Sequence, residues 1–161
     1  YAELLLELSP TLFERWCAHA LLHLGRGDPQ EALDAIDKIY LEGSGHYTMH
    51  LLRAFIHMEN RDASGAREEL DTCVRLEPVA FEARYLRAFL MMESGEGVAA
   101  KEELGKALDS APGEYRVYLL LARLADDDGD LARTIRHLER ARELKPDRAG
   151  EIEAVLQRIR E

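Results

Sequence analysis

Two consecutive stretches decide how this chain is read. Residues 47–80 are YTMHLLRAFIHMENRDASGAREELDTCVRLEPVA, and residues 81–114 are FEARYLRAFLMMESGEGVAAKEELGKALDSAPGE. At an offset of 34 they agree at Leu52/Leu86, Arg53/Arg87, Ala54/Ala88, Phe55/Phe89 and Met58/Met92. Ala66/Ala100, Leu70/Leu104 and Pro78/Pro112 agree in the second half, and Leu51/Tyr85 is a large-for-large exchange. Two copies of one unit imply a repeat architecture, in which each unit buries its apolar face against the next.

The same period extends outward. Pro10, Pro78, Pro112 and Pro146 are spaced by 68, 34 and 34 residues, and the skipped mark falls in Gly43-Ser44-Gly45. Proline stops a helix by lacking an N–H, and glycine does so by entering the left-handed region. Within each period the apolar spacing is helical and splits into two helices. Short turns join them: Gly27-Asp28-Pro29, Arg61-Asp62, Gly95-Glu96-Gly97 and Gly129-Asp130. Asp28, Asp62 and Asp130 are placed to cap the second helix of each pair, because a short carboxylate accepts from the first free N–H groups.

With Phe13, Tyr47, Phe81 and Tyr115 as first positions, four columns emerge. Position 8 is Ala20, Ala54, Ala88 and Ala122; position 20 is Ala32, Ala66, Ala100 and Thr134. Position 24 is Ile36, Leu70, Leu104 and Leu138; position 27 is Ile39, Cys73, Ala107 and Ala141. Small residues let the two helices approach, and the large residue at position 24 fills the space between them. This pattern resembles the tetratricopeptide repeat family. The resemblance implies an all-α fold, a right-handed superhelix of antiparallel helix pairs. Residues 1–12 then read as the end of a preceding repeat, and 13–46, 47–80, 81–114 and 115–148 as four full repeats. Residues 149–161 read as a capping helix, with Ile152, Val155, Leu156 and Ile159 on one face. A start without methionine inside a repeat reads as a cut through a longer array.

Two columns depart from the family. Position 4 is Trp16, His50, Arg84 and Tyr118, and position 7 is His19, Arg53, Arg87 and Leu121, where large apolar residues are usual. Either the arginines run their stems along the core and end in water, or the first helix of each pair is rotated.

Composition narrows the function. The 161 residues are 47% hydrophobic and 32% charged, with 21 basic and 31 acidic side chains and a net charge of −10. Such an acidic chain is a poor electrostatic match for nucleic acid or anionic membrane. No apolar run approaches the roughly 20 residues of a membrane span. The opening residues lack the basic start of a signal peptide. Cys17 and Cys73 make no disulfide framework and read as small buried side chains, which favours a reducing compartment such as the cytoplasm, with the periplasm as the alternative.

No nucleophile–base set, glycine-rich phosphate loop or paired-cysteine metal motif occurs. No catalytic residue, metal or cofactor is therefore expected. His19/His23 and His46/His50 have the i,i+4 spacing of a two-imidazole chelate, but no thiol or carboxylate completes a set, so they read as structural or surface histidines. Asp126-Asp127-Asp128-Gly129-Asp130 resembles the start of a calcium loop, yet its glycine comes one step early and His137 stands where the bidentate Glu belongs. Residues 115–148 carry eight basic and seven acidic side chains, net +1, while every other segment is negative. Arg133, Arg136 and Arg140 share one face there, most simply a solvated one.

By resemblance, the first helices line a concave surface, and positions 2, 5, 9, 12 and 13 are candidates for ligand contact. The candidate groove is Leu21, Leu51, Phe55, Met58, Tyr85, Phe89, Met92, Arg116, Leu119 and Arg123. Most are apolar, which disfavours a carboxylate clamp and suits a peptide or an amphipathic helix. The bland alternative is that these side chains pack between repeats. A non-catalytic scaffold with a protein or peptide partner is thus the leading reading. A substrate-guiding arm of a larger transferase and a self-associating scaffold are the alternatives.

Overall fold

The computed structural model describes residues 26, 29–40 and 46–160. Eight α-helices and one short 3₁₀ turn lie among them: α1 (Pro29–Tyr40), α2 (His46–Glu59), α3 (Ala63–Leu76), α4 (Phe81–Glu93), α5 (Gly97–Ser110), α6 (Tyr115–Asp127), α7 (Leu131–Leu144), the 3₁₀ turn Pro146–Arg148, and α8 (Ala149–Arg160). The fold is all-α and built from helix pairs. The expectations for 1–12, for the first helix of 13–46, and for Cys17, His19, Leu21 and His23 lie outside the described residues.

Two compact units are present, Tyr1–Pro78 and Val79–Glu161. In the first, α2 packs extensively on α3 and more lightly on α1. In the second, α4 pairs with α5 and α6 with α7; α5 meets α6, and α8 lies on α7.

The columns that define the repeat are the columns that pack. Every described residue at positions 8, 20, 24 and 27 is buried, from Ala32 and Ile36 in α1 to Leu138 and Ala141 in α7. A methyl group at positions 8 and 20 keeps the helices close enough for the position-24 side chain to be enclosed, and that apolar burial is the main stabilising term. In the second unit α8 closes the end. Ile152 and Leu156 join Tyr115, Ala122, Leu138 and Ala141 in one buried cluster, with Val155 and Ile159 against it. An Arg142–Glu153 ion pair bridges α7 to α8 beside that cluster.

The three described turns between paired helices follow one backbone plan. Arg61, Gly95 and Gly129 occupy equivalent places with φ of 59°, 78° and 74°. Glycine adopts this left-handed conformation without steric cost, and arginine does not. The following residue caps the next helix. Asp62 accepts from Gly65 N at 3.0 Å and Asp130 from Arg133 N at 3.0 Å, as their positions in the sequence predict. Glu96 stands in the same place without a side-chain cap.

Candidate functional site

The ten groove candidates fall into different environments. Leu21 lies outside the described residues. In the first unit Leu51, Phe55 and Met58 are buried, and Phe55 is only 1% exposed. In the second unit Tyr85 and Arg116 are buried, Phe89, Met92 and Leu119 are half-buried, and Arg123 is exposed. Leu119 also packs against the cluster that α8 closes. Among the described candidates, those that keep part of their surface in water are Phe89 and Met92 on α4, with Leu119 and Arg123 on α6.

Those two helices touch, and an ion pair spans them: Arg123 Nη2 donates to Glu93 Oε1 at 2.8 Å. About half of each charged side chain faces water, so the pair contributes little to stability and leaves both charges available to a ligand. Arg116 is held differently. Its Nε and Nη2 donate to the two carboxylate oxygens of Glu114 at 2.6 and 2.7 Å. The guanidinium carbon sits 5.5 Å from the Phe81 ring centroid and 5.9 Å from that of Tyr115. Burial alone would ease its proton off, but the Glu114 carboxylate outweighs burial and raises its pKa above the ordinary arginine value. A bidentate, ring-stacked arginine of this kind is a fixed part of the wall.

The departures at positions 4 and 7 have a single explanation that sequence reasoning missed. Among the described residues His50, Arg53, Arg84 and Arg87 each meet a carboxylate from position 23 of the same repeat. On α3, Glu69 Oε2 lies 2.5 Å from His50 Nδ1, and Glu69 Oε1 accepts from Arg53 Nε at 2.8 Å. On α5, Glu103 Oε2 takes Arg84 Nη1 at 3.1 Å and Arg87 Nη2 at 2.5 Å, while its Oε1 takes Lys106 Nζ at 2.8 Å. Glu103 is 4% exposed. Burial pushes its carboxyl upward, yet hydrogen bonds from Lys106 and Arg87 prevail and hold it below the usual Glu value. The arginines therefore end on a carboxylate rather than in water. Ala54 and Ala88 stay buried, so no rotation of α2 or α4 is needed. Glu69 and Glu103 are themselves 34 residues apart, and that identity was the available signal.

In α6–α7 the three positions change together to Tyr118, Leu121 and His137. Tyr118 and His137 meet as rings, with centroids 6.4 Å apart. Burial, then the charges of Arg136 and Arg133, lower the His137 pKa. Cys73 is buried, donates from Sγ to the Tyr47 carbonyl at 3.6 Å, and has its thiol pushed up to about 12 by burial, then by Glu69 and Glu77. At ordinary pH it is an inert packing group. Among the described residues no group of three or more His, Cys, Asp or Glu side chains is placed to hold a metal ion. None of the described helices is long and apolar enough to cross a membrane.

No family model and no curated protein matches the chain. Solved structures do. MamA from Desulfovibrio magneticus RS-1, residues 41 to its end, is 22% identical over 83% of this chain and 75% of its own, with a TM-score of 0.65. YrrB, described as a TPR protein with an unusual peptide-binding site, is 16% identical over 92% of this chain and 77% of its own, with a TM-score of 0.67. A tetratricopeptide repeat protein from Parabacteroides merdae is 20% identical over 90% of this chain and 58% of its own, with a TM-score of 0.66. Helix pairs, a 34-residue period and these likenesses together give the conclusion: the chain has the tetratricopeptide-repeat fold.

Proposed function

We propose that this chain is a non-catalytic interaction module that holds a protein segment against the exposed face of α4 and α6. The observation that carries the reading is the juxtaposition of half-buried Phe89, Met92 and Leu119 with the Glu93–Arg123 pair. Apolar side chains that keep part of their surface in water gain by being covered, and a flanking pair of opposite charges fixes the register of what covers them. An apolar peptide or the apolar face of an amphipathic helix supplies that cover. The peptide site ascribed to YrrB supports the reading in kind, because a helical-repeat fold there carries such a site. The buried candidates of the second unit, Tyr85 and Arg116, then shape and stiffen the wall behind.

The reading is tested by placing a photo-cross-linking residue at Phe89, at Met92 or at Val98 in the protein within its own cells. Val98 is 77% exposed on α5 and serves as the comparison surface. The expected result is one shared cross-linked species from Phe89 and Met92 that is absent from Val98, and that weakens on Arg123→Glu. Equal labelling from all three positions, or none from the first two, overturns the reading.

A further inference from the structure

We propose that the segment held against α4 and α6 is a basic one, an apolar anchor followed by a pair of Lys or Arg side chains. The proposal rests on that face being the docking surface and names the chemistry of what docks there. On each helix the stripe that reaches solvent runs from apolar to acidic. On α4 it passes from Phe89 to Met92 and Glu93, three and four residues on. On α6 it passes from Leu119 to Arg123 and then to Asp126 and Asp127, again at helical spacing. The Glu93–Arg123 ion pair sets the two stripes side by side, so the C-terminal ends of both helices share one edge of the face.

That edge is charged against the helices' own preference. A helix ends in a partial negative charge, which a cation in the last turn relieves and a carboxylate aggravates. The last turns of α2, α3 and α7 carry His57, Arg75 and Arg142, whereas those of α4, α5 and α6 carry no basic residue. α5 ends on one exposed carboxylate, Asp109, but α4 and α6 end together on Glu93, Asp126 and Asp127. Asp126 and Asp127 are exposed, and among the described residues neither carboxylate has an ion-pair partner. Over residues 93–101 and 123–133, six carboxylates stand with three cations: Lys101 is tied to Asp128, Arg123 to Glu93 and Arg133 to Asp130. This placement works against the isolated helices and in favour of a cationic ligand, whose charge meets two carboxylates and two helix C-termini at once. The same edge repels nucleic acid and anionic lipid. Arg123 lies one turn inside it and uses Nη2 on Glu93; its remaining N–H groups meet a carbonyl oxygen of the bound segment, while the basic side chains reach past it.

The test takes the photo-adduct formed at Phe89 by the protein in its own cells and sequences the attached segment by mass spectrometry. The expected segment carries a pair of Lys or Arg within about one helical turn of its apolar anchor, and a positive net charge. Asp126→Asn with Asp127→Asn is expected to lower the adduct yield about fivefold. The same change is expected not to lower Tm, because it takes carboxylates away from a helix C-terminus. Glu68→Gln with Asp109→Asn makes an equal change of net charge at exposed positions of α3 and α5, and is expected to leave the yield as it was. A neutral or acidic segment, a second copy of this chain in the adduct, a yield that the Asp126 and Asp127 changes do not lower, or an equal loss from both double variants overturns the proposal and leaves the docking face standing. Absence of any adduct at Phe89 overturns both.

Discussion

The pairs α2–α3 and α4–α5 are copies with the same apolar skeleton and the same carboxylate tie, but the tie is set at different depths. Glu69 is shared by His50 and Arg53, whose side chains are each about one-third exposed. Glu103 is enclosed by Arg84 and Arg87, at 13% and 17%, with Lys106 over its outer oxygen. A charge pair left partly in water is screened and worth less than one drawn further inside, which is costly to form and costlier to break. Within one chain, therefore, the same hydrogen-bonding scheme gives a soft joint and a stiff one, with apolar packing held equal.

That equality is the first thing to break. Leu70 and Leu104 are each fully enclosed, so Leu70→Ala and Leu104→Ala are expected to cost about 4 kcal/mol apiece, read from urea unfolding. Costs that differ by more than about 1 kcal/mol would show that the two skeletons are not equivalent.

The carboxylates come next. Glu103→Gln leaves two guanidinium groups without their counter-charge and is expected to cost about 3 kcal/mol, whereas Glu69→Gln is expected to cost about 1. The Glu103 tie also has an acid limit. Its pKa is lower in the folded chain, so its stabilisation is complete above the ordinary Glu value and is lost as pH falls through the lowered one. Unfolding midpoints of wild type should therefore converge on those of Glu103→Gln as pH falls below about 4.

Smaller contrasts sharpen the comparison at the turns and helix surfaces. Arg61 holds the left-handed place that Gly95 holds in the next pair, so Arg61→Gly is expected to stabilise by about 1 kcal/mol, seen as a raised Tm. Gly105→Ala, where an added methyl group meets nothing, is expected to stabilise α5 by about 0.7 kcal/mol. Gly65→Ala is expected to have the opposite sign. Its methyl group would lie 2.4 Å from His57 Nδ1 and 2.5 Å from Asp62 Oδ2, in the midst of the α3 cap.

Much of this organisation is legible in the residues. Small residues at positions 8 and 20 and a large aliphatic one at position 24 repeat because close-packed helices restrict size there, so period alone reveals them. Asp62 and Asp130 announce their caps for a similar reason: the side chain acts on a backbone three residues away. The Arg84–Glu103 and Arg53–Glu69 ties were not read. Their partners lie 19 and 16 residues apart, and charged residues in a helix are ordinarily solvated. The candidate groove was half-legible. Position numbers locate the first helices, but the depth at which Phe55 and Phe89 sit depends on what covers them: 1% exposure at one, half-burial at the other.

The Glu69 and Glu103 ties each close between two helices of a single 34-residue copy, donor and acceptor together. This has a consequence for how such a chain can grow. A duplication carries both halves of the bond into the new copy, so a fresh unit arrives electrically complete. Replacing one half alone would strand the other, and in α6–α7 all three positions differ together, as Tyr118, Leu121 and His137. The bond that fastens each pair thereby becomes a unit of inheritance.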